Sequence, residues 1–155
     1  MLTLYKPTLK ELSFRQELLA DEATMSYNHS YGGCIDFPRK KWEIWYEKWL
    51  KTDTERYFCR YLYNEELKAF VGECAYHWDE EEQKHICDVI IHSRYRGKGY
   101  GKEALLLLCE AAKDNGLTEL WDSIAIDNPS IGLFLRCGFV EVSRNKEVIL
   151  VKKTL

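Results

Sequence analysis

Apolar and polar positions recur along this chain with two periods, and the switches between them outline its elements. Leu2 to Tyr5 alternates weakly and stops at Pro7, as a short first strand would. From Thr8, with Glu11 three residues on as a capping partner, Leu9, Leu12, Leu18 and Leu19 keep a roughly helical spacing up to Ala20. Asp21 to Phe37 has little period. Its Tyr27, Asn28, His29, Tyr31 and Gly32-Gly33 read as mostly loop, of the polar and aromatic kind that often touches ligands. Pro38 opens a second helix, where Trp42, Trp45, Tyr46 and Trp49 fall at i, i+3, i+4 and i+7 and form one aromatic face, read as core packing.

Three strand-like runs follow: Tyr57 to Tyr63, Leu67 to Trp78 and His85 to His92. Asn64-Glu65-Glu66 divides the first two, and Asp79-Glu80-Glu81-Glu82 forms a solvated hairpin tip before the third. After Arg96 to Gly101 comes the most regular helix, with Ala104, Leu105, Leu108, Ala111 and Ala112 in period until Asn115-Gly116 stops it. A strand spans Glu119 to Ile126, and Asn128-Pro129-Ser130 caps a short helix through about Arg136. Gly138-Phe139 starts another strand, and Glu147 to Lys153 supplies the last. The order β-α-α-β-β-β-α-β-α-β-β predicts a mixed α/β fold, and without repeats or linkers residues 1–155 read as a single domain.

Composition changes this picture mainly by exclusion. With 46% apolar and 30% charged residues the chain is ordinary for a globular domain, and a net charge of -3 lacks the basic excess that binds nucleic acid. The 6 cysteines contain no C-x-x-C pair and no zinc-like spacing with histidine, so they read as reduced core residues and no metal is expected. No positive segment precedes an apolar stretch and no long apolar run occurs, which predicts a cytoplasmic protein with no membrane partner. Aromatics are unevenly placed: all but Tyr95, Tyr100, Trp121, Phe134 and Phe139 lie at or before Trp78.

The densest chemistry lies in Val89-Ile90-Ile91-His92-Ser93-Arg94-Tyr95-Arg96-Gly97-Lys98-Gly99-Tyr100-Gly101: a strand, a basic turn, alternating glycines, then a helix. Glycines let successive backbone N–H groups point into one concavity at a helix N-terminus, which suits phosphate. A Walker loop fails, because Gly101-Lys102 is followed by Glu103 and leaves no hydroxyl for magnesium. A dinucleotide fingerprint fits poorly, since Gly97, Gly99 and Gly101 space as G-x-G-x-G after three antiparallel-looking strands.

The turn resembles the pyrophosphate signature Q/R-x-x-G-x-G/A of the GCN5-related N-acetyltransferases, with Arg96, Gly99 and Gly101 at its fixed positions. Asn128 through Cys137-Gly138-Phe139 resembles that family's later coenzyme A motif, and the element order is similar from end to end. The resemblance implies a central mixed, mostly antiparallel sheet of about seven strands flanked by about four helices. It also implies direct acetyl transfer from acetyl-coenzyme A to a primary amine in a ternary complex. Homodimers are common in the resembled family. In this likeness backbone N–H groups of Arg96, Gly97, Lys98, Gly99, Tyr100 and Gly101 hold the pyrophosphate, with charge added by Lys98 and Lys102. Val89, Ile90 and Ile91 hold the pantetheine arm, and N–H groups near Ile91 polarise the thioester carbonyl. Asn128 and Phe134 are the remaining coenzyme contacts it implies.

An amine of pKa about 10.4 is neutral only about once in 2,500 molecules at pH 7, so a base is needed. His85 is the first candidate: it stands four residues before Val89, where the family is similar in placing a base, and period two keeps it on one face with Cys87, Val89 and Ile91. Glu73, on the preceding strand, and Asp122, inside an apolar strand, are its rivals. Tyr27, His29, Tyr31, Tyr76 and Trp78 are candidate contacts for the acceptor. One departure stands out. Where the family carries a tyrosine that protonates the departing thiolate, this chain has Leu133-Phe134. A thiolate can leave without a strong acid, since thiols ionise near pH 8.5. The alternative reading is a noncatalytic module that binds or senses acetyl-coenzyme A.

Overall fold

The computed structural model describes residues 1–29 and 31–155. Its strands are β1 (Leu2–Tyr5), β2 (Tyr57–Asn64), β3 (Ala69–Asp79), β4 (Lys84–Ile91), β5 (Glu119–Ala125), β6 (Val140–Arg144) and β7 (Val148–Thr154). The described residues form five α-helices: α1 (Leu12–Ala20), α2 (Glu22–Met25), α3 (Trp42–Leu50), α4 (Tyr100–Asp114) and α5 (Ile131–Arg136). The strands make one 7-stranded sheet in the order β1-β2-β3-β4-β5-β7-β6. Every neighbouring pair is antiparallel except β4 and β5.

Period-two alternation sends successive side chains to opposite faces, and each face has its own core. On one side α4 and α5 lie against the sheet, with Leu105, Leu108 and Phe134 packed on Cys74, Cys87, Leu120, Ile124 and Val151. On the other, Leu12, Leu18 and Leu19 of α1 and Trp42 of α3 pack on Tyr61 and Ile90. At about 2 kcal/mol for each large apolar side chain withdrawn from water, these two layers supply the main force holding helices to sheet.

The expected fold class stands, with one addition. Asp21 to Phe37 contains α2, a helix of 4 residues, followed by a 3-10 turn at Ser26–Tyr31. Asp21 caps it by accepting from the Thr24 N–H at 3.0 Å. A helix this short makes barely one turn, too little for a period to show. The predicted second strand of the hairpin also starts later, at Ala69, because Leu67 is tied into the turn by its N–H donating to Asn64 Oδ1 at 2.9 Å and Lys68 takes φ 51°.

Candidate active site

The site is made where the sheet comes apart. β3 and β4 pair over the whole of Lys84 to Ile91, but β4 and β5 share a single register pair, Ile86 with Trp121. Beyond it the strands diverge, each still held by its outer neighbour, and a cavity of about 690 Å³ fills the gap. Its walls come from both faces of the sheet: Asp88 and Ile90 belong to the α1 side, Val89, Ile91 and Ile124 to the α4 side. The cavity therefore passes through the sheet. Gly72 allows β3 to stay close here, since a Cβ on it would lie 2.1 Å from the Ile90 carbonyl oxygen.

At one mouth lies the glycine turn. Gly97 and Gly99 take φ 78° and 83°, a left-handed conformation natural to glycine, and a Cβ on either would enter open space. Gly99 is the N-cap of α4, so the first N–H groups of a 15-residue helix face the cradle without intrahelical partners. Gly101 fits against Leu133, whose Cδ2 would be 3.2 Å from a Cβ. Positive φ, open space and a helix N-terminus together suit a pyrophosphate.

The turn is also clamped to α2. The Arg96 guanidinium donates to the carbonyls of Ala23 at 3.1 Å and Thr24 at 2.7 Å, so its side chain braces α2 and only its backbone serves the cradle. Ser93 donates through its N–H to Thr24 Oγ1 and through Oγ to Asp21 Oδ2. Hydrogen bonds donated to Asp21 by the Thr24 hydroxyl first, then the Ser93 hydroxyl and the Thr24 N–H, pull its carboxyl down to about 2. The bracing fixes where Tyr27, Asn28 and His29 meet the cavity.

Two carboxyl groups line the gap. Asp88 is open to the cavity's solvent, yet protein closes around it; burial and then the Glu73 charge push its carboxyl up to about 6, against the pull of Arg15. Asp122, on β5, is held well above the usual carboxylate range by burial and by the Asp88 charge. Tyr27 is raised by burial, and by Asp88 after it, so its phenol stays neutral. Asp127 stands at the rim, with Oδ2 3.2 Å from His29 Nε2.

Of the acceptor residues expected from the sequence, Tyr27, His29 and Tyr31 do line the cavity, and so do Asp122 and the coenzyme positions Val89, Ile90, Ile91, Arg96, Gly97, Gly99, Tyr100, Gly101, Asn128 and Phe134. Asn128 uses its Oδ1 to accept from the Ser130 N–H at 2.9 Å ahead of α5. Lys98 and Lys102 are exposed and outside the wall. His85 stands apart. It points to the α4 side at the far end of β4, with Nε2 2.7 Å from the Glu55 carbonyl oxygen and its ring against Trp78, in a separate hollow. Glu73 is 3% exposed and paired with Arg15 at 3.1 Å, whose guanidinium lies 4.3 Å over the Trp45 ring; it does not reach the cavity wall. Tyr76 is core: its OH donates to the Thr54 carbonyl at 2.6 Å and its ring stacks on Phe58. Asp88 escaped the sequence reading, although one acid inside the apolar run Ile86 to Ile91 is a legible signal. Among the described residues no group of three or more His, Cys, Asp or Glu side chains stands ready for a metal ion, and no helix is long and apolar enough to cross a membrane.

Comparison with known proteins agrees with this geometry. Residues 16–139 match the model of the acetyltransferase (GNAT) family. This chain belongs to that family. The GNAT chain is 31% identical over 121 residues to an uncharacterized N-acetyltransferase of Methanocaldococcus jannaschii, covering 73% of this chain and 50% of that protein. It is 30% identical over 95 residues to an N-acetyltransferase 9-like protein of Nematostella vectensis, covering 56% of this chain and 48% of that protein. The chain thus spans about half the length of the curated relatives it matches. Among solved structures, a GNAT acetyltransferase from Streptococcus pneumoniae superposes with TM-score 0.80 at 17% identity, covering 100% of both chains. The spermidine N-acetyltransferase of Vibrio cholerae, in complex with CoA and spermine, gives 0.77 at 20% identity, covering 99% of this chain and 95% of that one.

Proposed function

We propose that this GNAT chain transfers the acetyl group of acetyl-coenzyme A directly to the primary amine of a small cationic acceptor, both bound at once. The observation that carries this reading is one continuous cavity running from the glycine cradle, through the gap between β4 and β5, to Asp88 on the α1 side. The cradle suits the pyrophosphate, and Val89, Ile91, Ile124, Leu133 and Phe134 offer an apolar channel for the pantetheine arm. Bound acetyl-coenzyme A supplies the activated acyl group. The chain supplies orientation, exclusion of water and a base.

Asp88 takes that role in place of His85. A carboxyl near 6 is largely ionised at pH 7 yet basic enough to accept the proton that the attacking nitrogen loses in the transition state. Asp88 and Asp127 on one cavity favour a cation over an anion as acceptor. The likeness to a spermidine N-acetyltransferase points the same way. Thiol release with acetyl-coenzyme A and a panel of polyamines, amino sugars and peptides tests this: spermidine-like amines should turn over, with initial-rate lines that intersect as a ternary complex requires. The noncatalytic reading is favoured by Phe134 standing where the family's tyrosine would be. Tight coenzyme binding with no turnover on any amine would support it.

A further inference from the structure

Asp88 and Asp122 point to opposite faces of the sheet yet line the same cavity. Asp88 alternates with Ile90, which packs among Leu12, Leu18 and Tyr61 on the α1 side. Asp122 alternates with Leu120 and Ile124 and pairs with Val151, all in the α4-side core that also contains Phe134. In a closed pair of strands, two such groups would be separated by the sheet. Here Asp122 directly follows Trp121, the last rung shared with β4, and the gap opens beside it. The carboxyl of Asp122 is therefore on the side where the family's tyrosine is absent, while Asp88 faces the side of Tyr27 and the acceptor mouth.

We infer that Asp122 is the proton donor to the departing sulfur, paired across the parted strands with Asp88 as acceptor of the amine proton. The inference rests on the acetyl-transfer reading above. Its surroundings favour the protonated form of Asp122. Burial acts first, then the charge of Asp88 on β4; Cys87 on β4 and Tyr27 from the Ser26–Tyr31 turn face it as neutral groups. Its β7 partner Val151 carries no charge, and Lys153, beside Leu120 in register, is turned to Cys109 and Cys137. The Ser123 N–H donates to Oδ1 at 2.8 Å, a contact that favours ionisation. Two carboxyls driven apart in this way form an acid and a base.

The proton count closes. A neutral amine attacks the thioester carbon; the C–N bond forms, and Asp88 takes one proton from nitrogen. The C–S bond breaks with its electron pair on sulfur, and Asp122 gives sulfur its proton. Amide, free thiol, protonated Asp88 and ionised Asp122 result. The proton then returns from Asp88 to Asp122 through the solvent of the cavity, and both groups are reset. An acceptor that arrives as an ammonium ion first releases one proton to bulk water.

Carbon-13 carboxyl NMR of the coenzyme-free protein reads the protonation of Asp122 without any turnover. It should titrate well above the other carboxyls, and Asp88→Asn should lower it. In kinetics, Asp122→Asn should reduce kcat about 10- to 100-fold and remove the alkaline limb of its pH profile, with coenzyme A affinity and melting temperature little changed. Asp122→Glu should keep an alkaline limb, shifted in position. An ordinary carboxyl titration for Asp122, or an Asp122→Asn variant with wild-type kcat and alkaline limb, overturns the inference while leaving acetyl transfer intact. A wild-type protein that acetylates no amine overturns the transfer reading and the donor role with it.

Discussion

Asp88→Asn should raise stability and abolish most activity, and the size of each effect follows from one charge. The Asp88 carboxyl is pushed to about 6 from the 3.8 of a free one, and that gap corresponds to about 3 kcal/mol at 1.36 kcal/mol for each tenfold change. Cavity solvent reaches the group, and screening reduces this to about 1 to 2 kcal/mol. The sign follows from proton binding. Between about pH 4 and pH 6 the folded state holds a proton that the unfolded chain has lost, so stability falls as pH rises through this window. Above it, the folded protein carries a strained carboxylate. Asparagine removes the charge at nearly constant shape, so at pH 8 the variant should gain about 1 to 2 kcal/mol, or about 4 °C in melting temperature for a chain of this size, and at pH 4 almost nothing. Differential scanning calorimetry at both pH values measures this. The same variant should lose about 100-fold or more in kcat, with the rising limb near pH 6 gone from kcat/KM. An equal gain at both pH values would assign the effect to packing, and no gain or a loss at pH 8 would refute the electrostatic argument.

Three further outcomes are expected. Gly99→Glu forces a side chain into φ 83° and puts a negative charge into the cradle, so calorimetric titration should show coenzyme A affinity reduced at least about 100-fold. Arg15→Ala leaves the Glu73 carboxylate, 3% exposed, without its partner and should lower stability in urea by about 3 to 5 kcal/mol, partly restored by adding Glu73→Gln. His85→Ala, away from the cavity, should keep kcat within about twofold and leave its pH profile unmoved, because His85 lies in a separate hollow with its Nε2 bonded to the Glu55 carbonyl.

What could be read from the sequence was local. The glycine turn is legible because positive φ at Gly97 and Gly99 is fixed by residue type, and the helix after it by an uninterrupted 3.6-residue period. Period two correctly placed His85, Cys87 and Ile91 on one face, but it cannot say which side of the sheet receives the acceptor, and that face turned out to be the α4 side. Glu73 has the sequence profile of a candidate base, whereas its partner Arg15 lies 58 positions away and only the fold brings them together. Tyr76 could not be told from a cavity wall, because its burial depends on Phe58 and Asn115 from other elements. The cavity itself arises where β5 stops pairing with β4, a long-range event with no local signal.

The central claim is that the gap between β4 and β5 is the coenzyme channel leading to Asp88. A crystal structure with coenzyme A and an unreactive spermidine analogue tests it most directly. The pyrophosphate should lie on the N–H groups of Gly97 to Gly101, the pantetheine arm should run between Val89 and Ile124, and the analogue's amine should meet Asp88. Coenzyme bound elsewhere, or a β4–β5 gap closed by continued pairing beyond Ile86 and Trp121, would contradict the account.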